Sequence, residues 1–317
     1  VWVAIPVEPA RAWRAFVGGV LLALPLVIPA GILPSDPWWV ADESDADGAM
    51  NPASEPVLAL QRQLQDDALA ALEDHVQGST DVYFIGFAPD GAGAVWSERI
   101  AAARKVLEGH WGAEGRTLGY VNDVGTLDEA PMASVSNLRE ALAEIAAAAD
   151  PDEDVLMLYL AGRNNADGTM TVSLPPLDLV QLSGPGLRSL LDEAGFAWRV
   201  VVVSTCVPGS FIEALSDDRT MLIANAAPET DVAECARRGE PVAFGDAFFN
   251  EALPRSTSLP SAFESARRAL AQSESSGAAH PVPFMHLGTE IARKLESVRG
   301  RSTSGVTARA PAIRRPA

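Results

Sequence analysis

The stretch "WRVVVVST", residues 198–205, decides which fold class the sequence predicts. Its valines form a continuous apolar run instead of alternating with polar residues, which indicates a strand covered on both faces. Strands of this kind are typical of mostly parallel sheets with helices on each side. Similar runs occur in "DVYFIGFA" (81–88) and "DVLMLYLAG" (154–162).

Helical patterns alternate with the strands along the chain. Two more strands are predicted at 116–123 and 220–227, and helices are predicted at 57–76, 94–111, 136–148, 185–195, 211–215, 243–253 and 261–274. This order predicts a three-layer α/β/α sandwich with a mostly parallel sheet. Binding and catalytic residues in such sheets lie at the carboxyl ends of the strands. We therefore expect them in the loops after Ala88, Asn122, Gly162, Thr205 and Ala227.

Composition excludes several classes of function. A net charge of −18 argues against a nucleic-acid partner, because phosphate binding needs a basic surface. The two cysteines, Cys206 and Cys235, cannot form a disulfide framework. The four histidines are scattered, and no Cys/His group has the spacing of zinc ligands. No cofactor and no metal are expected.

Residues 15–35 are uncharged and long enough to cross a bilayer core of about 30 Å. Arg11 and Arg14 precede this segment and five acidic residues follow it closely, so the positive-inside rule places residues 1–14 in the cytoplasm. A signal peptide and a buried core helix are the alternatives. "PAG" at 29–31 is compatible with a signal peptide, but no convincing small-residue cleavage site follows the apolar run, and a membrane anchor is the favoured interpretation. The first residue is Val rather than Met, which is compatible with a truncated chain.

The remaining chain divides by composition. Residues 36–55 are rich in Asp, Pro and Ser and indicate a linker, and residues 56–297 contain the alternating strands and helices. Residues 298–317 carry arginines and no acidic residue, and they are expected to form a disordered basic tail.

Cys206 follows the 198–205 strand and stands before the Pro208-Gly209 break. This is a suitable place for a nucleophilic thiol, which also needs a base and donors for the developing oxyanion. A buried structural cysteine is an equally good interpretation of the position.

The neighbouring strand runs into "AGRNN", and Arg163 is the residue there that could face Cys206. Arginine stays protonated in proteins, so it could stabilise a thiolate but could not act as a general base. A simple polar turn is the alternative interpretation of this segment.

From Asp81 to Gly288 the chain resembles the bacterial branch of the legumain-type cysteine peptidases. The matching stretches are "DVYFIGFAPDG", "GRTLGYVND", "DPDEDVLMLYL", "AGFAWRVVVVSTC", "GSFIEAL" and "FGDAFFNEAL". The resemblance implies a caspase-like α/β/α fold, peptide or protein substrates, and hydrolysis by a Cys/His dyad. It also implies a single-pass anchor in the bacterial inner membrane, with the C-terminal domain outside the cytoplasm.

Carried over residue by residue, the resemblance assigns the nucleophile to Cys206. It assigns the position of the dyad histidine to Arg163, and that of the following glycine, an oxyanion-hole donor, to Asn164. Pro208 departs from the family pattern after the nucleophile and removes an amide donor. Cys235 matches a second cysteine position of the family.

None of the histidines is an evident replacement for the missing base. His75 and His110 precede strands and are expected at the opposite end of the sheet, and His286 lies in an apolar run typical of the core. His280 is the one histidine left as a substitute base, although an exposed loop histidine before a proline is the better interpretation of its position.

Three functions fit these residues. The first is a membrane-anchored legumain-type domain with impaired or lost proteolysis that binds peptides. The second is an active endopeptidase that cleaves after Asn or Asp with Cys206 and a non-standard base. The third is thiol chemistry between Cys206 and Cys235, which follow adjacent strands, and a Cα distance well beyond ~7 Å would exclude a disulfide between them.

Overall fold

The computed structural model describes residues 50–91, 94–228, 230, 242–274 and 282–302. The predicted membrane segment 15–35 lies outside these residues, and so do His280 and Cys235. Within the described ranges, no helix combines the length and apolarity needed to span a bilayer. The membrane anchor therefore stays a prediction.

A six-stranded sheet forms the middle layer, in the order β2-β1-β3-β4-β5-β6. The strands are β1 Val82–Ala88, β2 Thr117–Val121, β3 Val155–Ala161, β4 Trp198–Ser204, β5 Thr220–Ala224 and β6 Phe284–Leu287. The first five strands are parallel, and β6 pairs antiparallel with β5 at the edge. The predicted mostly parallel sheet is confirmed.

The helices follow the predicted alternation. They are α1 Glu55–Ala70, α2 Val95–His110, α3 Val135–Ala148, α4 Gly184–Ala194, α5 Gly209–Leu215, α6 Val242–Gly245, α7 Leu259–Glu274 and α8 Thr289–Ser302. A π-helical turn, Asp246–Ala252, continues α6, and single 3-10 turns cover Val124–Thr126 and Leu253–Arg255.

Both faces of the sheet are covered, which explains the continuous valine run of β4. Val200 and Val202 pack into a layer with α2, α7 and α8. Val201 and Val203 point to the opposite face and pack with α3, α4 and α5. Because successive side chains of a strand alternate between faces, a strand buried on both sides is apolar at consecutive positions, as β4 is from Val200 to Val203.

Helix α1 ends earlier than its sequence pattern predicts, at Ala70 instead of Val76. The backbone amide of Glu73 donates to the Gly115 carbonyl (2.8 Å), and that of His75 donates to the Ala148 carbonyl (2.8 Å). These bonds to a distant loop and to the end of α3 replace the hydrogen bonds that a longer helix would make. Tertiary pairing therefore overrides local helix propensity here.

Two other helix ends bear on the sequence predictions. Gly195 ends α4 in the left-handed conformation, with φ of 76°, as its predicted capping role requires. Helix α8 continues to Ser302, beyond the predicted domain boundary at residue 297. Residues 298–302, assigned to the disordered tail by composition, are helical.

Candidate functional site at the carboxyl edge of the sheet

Polar residues follow each of the five parallel strands and meet at one edge of the sheet. In the order of the strands across the sheet, from β2 to β5, they are Asn122, Asp90, Arg163, Cys206 and Asn225. The register places Arg163 and Cys206 at the ends of neighbouring strands, because Ala161 pairs with Ser204 and each of the two residues follows its paired residue by two positions. These loops are the ones in which the sequence analysis expects the site, and in the described residues they lie at one edge of the sheet.

Cys206 lies half-buried at the end of β4, on backbone that is fixed from both sides. The amide of Thr205 donates to Asn225 Oδ1 at 2.8 Å, and the amide of Val207 donates to Asn164 Oδ1 at 2.8 Å. The cysteine is thus held between side chains that follow the strands on either side of β4.

The sulfur of Cys206 is disulfide-bonded in this structure. A disulfide sulfur carries no thiolate and cannot act as a nucleophile. Any covalent catalysis at this position therefore requires prior reduction of the bond.

Arg163 forms a bidentate ion pair with Asp90. Its Nε lies 2.5 Å from Asp90 Oδ2, and its Nη2 donates to Oδ1 at 2.9 Å. The Asp90 carboxylate is fully buried, whereas about half of the Arg163 side chain is exposed (51%). A guanidinium paired in this way stays charged, so Arg163 supplies a fixed cation and no proton acceptor.

Asn164 connects the loop after β3 to the loop after β4. Besides accepting from the Val207 amide, its Oδ1 accepts a short hydrogen bond from the Thr205 hydroxyl. Its Nδ2 donates to the Gly168 carbonyl at 3.3 Å. A glycine could make none of these side-chain bonds, so Asn164 fixes the turn that carries Cys206.

Close backbone contacts position helix α5 behind this turn. A Cβ at Gly184, the first residue of α4, would lie 2.1 Å from the Ser210 carbonyl oxygen. A Cβ at Gly209 would lie 2.6 Å from the carbonyl oxygen of Pro228, in the loop after β5. Glycines therefore let three segments approach each other next to Cys206.

Asp90 is a site residue that the sequence analysis missed. It stands two residues after β1, and β1 pairs with β3, which leads into Arg163. The available signal was an acidic residue in a loop already expected at the functional edge. Only the strand order, in which β1 and not β2 borders β3, identifies it as the partner of Arg163.

The described histidines lie away from the carboxyl edge, as predicted. His75 Nδ1 lies 3.0 Å from Asp154 Oδ2, just before β3, at the amino ends of the strands. His110 is the last residue of α2 and is exposed. His286 lies in β6, and its Nε2 is 2.9 Å from the Asp217 carbonyl, which precedes β5.

Comparison with known protein families agrees with this arrangement. Residues 137–280 match the model of the Peptidase C13 family, the legumain family. The matched stretch begins in α3 and contains both Arg163 and Cys206. No curated protein matches the sequence. The family match confirms the predicted resemblance to legumain-type cysteine peptidases.

Proposed function

We propose that this legumain-type chain is a peptidase-family domain with impaired or lost proteolysis, which binds a peptide or protein in the former substrate cleft. We further propose that it belongs to the bacterial branch, anchored in the inner membrane through residues 15–35 with its domain outside the cytoplasm. The supporting observation for lost proteolysis is the pairing of Arg163 with the buried Asp90 carboxylate.

The argument for lost proteolysis starts from proton transfer. A thiol nucleophile needs a group that accepts its proton and later protonates the leaving amine. The resemblance assigns that role to the position of Arg163, and a guanidinium cannot perform it. The ion pair with Asp90 also holds the Arg163 side chain in place at this position.

Asn164 supports the same proposal. The family position holds a glycine whose backbone amide is expected to help bind the oxyanion. In this chain the side chain of Asn164 makes hydrogen bonds to the Cys206 turn, at the Thr205 hydroxyl and the Val207 amide. These contacts favour a rigid polar binding surface at this position over an oxyanion hole for acyl transfer.

The retained cysteine favours the second candidate, an active endopeptidase that cleaves after Asn or Asp. In that case the base would come from outside the described residues, and His280 would be the group to mutate. The two candidates make opposite predictions for turnover.

The first test is turnover of quenched Asn- and Asp-containing peptides by the purified full chain after reduction with a dithiol. We expect no cleavage above the background of the Cys206→Ala variant from acidic to neutral pH, because no proton acceptor serves the thiol. Cleavage that Cys206→Ala abolishes would instead establish an active peptidase, and loss of that cleavage in His280→Ala would identify its base.

The second test restores the family residues with Arg163→His and Asn164→Gly together. After the same dithiol reduction as in the first test, we expect cleavage to appear, because the buried Asp90 carboxylate is placed to orient an imidazole at this position. The same pair of substitutions combined with Cys206→Ala is the control and should remain inactive. A restored variant that folds and binds peptide but does not cleave would contradict the assignment of the missing base to Arg163.

A further inference from the structure

Arg163 is an exception in the charge pattern of the carboxyl edge. In the described parts of the loops that join β1 to β5 to the helices after them, it is the one basic side chain. The other charged side chains of these described parts are acidic, and they are Asp90, Asp123, Asp128, Glu129, Asp167 and Asp178. The whole chain has a net charge of −18. An anionic ligand at this edge would therefore be attracted by Arg163 and repelled by most of its neighbours.

The guanidinium of Arg163 is held in one orientation and reaches solvent. Asp90 accepts hydrogen bonds from its Nε at 2.5 Å and from its Nη2 at 2.9 Å, and a bond through two nitrogens fixes the plane of the group. The Asp90 side chain is fully buried, but 51% of the Arg163 side chain is exposed. A cation that is already oriented loses little side-chain freedom when a ligand binds, and this favours affinity.

The backbone of the Cys206 turn has few donors for an anion. The Thr205 and Val207 amides both donate to side-chain oxygens of the protein, at 2.8 Å each. Pro208 has no amide hydrogen. An anionic group bound beside this turn would therefore depend on a side-chain donor, and Arg163 follows the neighbouring strand.

The position of Arg163 relative to Cys206 indicates which part of a peptide it would contact. Ala161 and Ser204 pair in neighbouring parallel strands, which lie about 4.8 Å apart, and the two candidate residues follow them by two positions each. In a cysteine peptidase the carbonyl that is attacked lies within reach of both the nucleophile and the base. A peptide that ends at this point presents a carboxylate there instead of a peptide carbonyl.

We propose that Arg163 binds the carboxylate of a peptide in the former substrate cleft, supplied either by the carboxyl terminus of the peptide or by an Asp or Glu side chain. This inference rests on the proposed function, because it names the chemistry by which the retained cleft recognises its ligand. The guanidinium donates hydrogen bonds to the ligand carboxylate while Asp90 keeps the group oriented. Arginine at the position of the dyad histidine thus replaces a proton-transfer group with an anion receptor.

The test is binding of three peptides to the purified full chain, measured by the fluorescence anisotropy of an uncharged dye at the amino end of each peptide. The peptides are Ala-Ala-Asn with a free carboxyl terminus, Ala-Ala-Asn as a C-terminal amide, and Ala-Ala-Asp as a C-terminal amide. We expect at least one carboxylate peptide to bind about tenfold or more tightly than the Asn amide, because hydrogen bonds to charged groups are the stronger ones. Preference for the free acid assigns the carboxylate to the carboxyl terminus, and preference for the Asp amide assigns it to a side chain.

Arg163→Gln is the variant that tests the assignment, and it should bind all three peptides equally. Asp90→Asn combined with Arg163→Gln leaves no unpaired carboxylate in the interior, so it replaces the single variant if that variant does not fold. Arg139→Gln is the matched control. It removes an arginine of α3 whose pair with Glu193 is exposed, and it should keep the preference for a carboxylate.

The possible outcomes separate this inference from the proposed function. Equal binding of the three peptides by the wild-type chain would overturn the inference and leave peptide binding in place. A carboxylate preference that persists in Arg163→Gln would overturn it too. Absence of binding by all three peptides would contradict both. Cleavage that Cys206→Ala abolishes would contradict the proposed function alone, because the carboxylate preference can still be measured in Cys206→Ala.

Discussion

At the scale of single residues, the candidate site contains the ion pair Asp90–Arg163, which no local sequence pattern predicts. Asp90 is fully buried and Arg163 is half-exposed, and two hydrogen bonds of 2.5 and 2.9 Å join them. A buried carboxylate without its cation is costly, whereas the arginine can rehydrate when it loses its partner. The pair therefore stabilises the loop mainly by compensating Asp90.

We expect Arg163→Met to lower the free energy of unfolding by about 1–3 kcal/mol, because it removes the bidentate partner of a buried carboxylate. Asp90→Asn combined with Arg163→Met should cost less than the sum of the single changes. Urea unfolding of the double-mutant cycle measures this coupling. Arg139→Met is the control, because its pair with Glu193 is exposed on both sides and should contribute less than about 1 kcal/mol. Additive single effects at Asp90 and Arg163 would mean that the pair contributes nothing.

At the scale of elements, the geometry around Cys206 depends on helices that approach each other without side chains between them. The start of α4 lies against the start of α5, where a Cβ at Gly184 would be 2.1 Å from the Ser210 carbonyl oxygen. Backbone atoms cannot move aside as a flexible side chain can, so this contact fixes the distance between the two helices.

Gly184→Ala should therefore shift α4 away from α5 and lower the free energy of unfolding by roughly 1–3 kcal/mol. Gly109→Ala in α2 is the matched control. Nothing lies within 4 Å of its added Cβ, and a helical alanine should stabilise by up to about 1 kcal/mol. Chemical denaturation of both variants measures the change in the free energy of unfolding that each substitution causes. Equal effects at the two glycines would contradict the close contact as the cause.

At the scale of the whole molecule, every tyrosine of the chain is buried in the sandwich. The three tyrosines, Tyr83, Tyr120 and Tyr159, have no exposed surface. Burial removes water from the phenolate and raises the pKa of Tyr83 and Tyr120 above the ordinary value, and raises that of Tyr159 to about 12. The fold thus favours the neutral phenol at all three positions.

This burial predicts how stability changes at alkaline pH. Below about pH 10 both folded and unfolded chains hold the phenol protons, so the tyrosines cause no change. Above that pH the unfolded chain releases them while the folded chain retains them, and stability falls as the pH rises toward about 12. Phenolate absorbance and circular dichroism should change together. Phenolate formation near pH 10 in protein that keeps its native dichroism would contradict this expectation.

The sequence predicted the fold class because a strand that is buried on both faces has an uninterrupted run of apolar residues. The continuous valines of β4 require covering layers on each side, and the structure has them. The end of α1 at Ala70 and the helical residues 298–302 were not predictable in this way. The end of α1 depends on pairing with a distant segment, through the bond from the Glu73 amide to the Gly115 carbonyl.

The sequence by itself determined the layered parallel sheet, the resemblance to legumain-type peptidases and the edge of the sheet at which the loops of Arg163, Asn164 and Cys206 lie. Strand periodicity and short motifs suffice for these conclusions, because both are properties of consecutive residues. Only the tertiary structure decided that Asp90 pairs with Arg163 and that Asn164 fixes the Cys206 turn. These are contacts between residues far apart in the chain, and strand order and register, not local pattern, bring their atoms together.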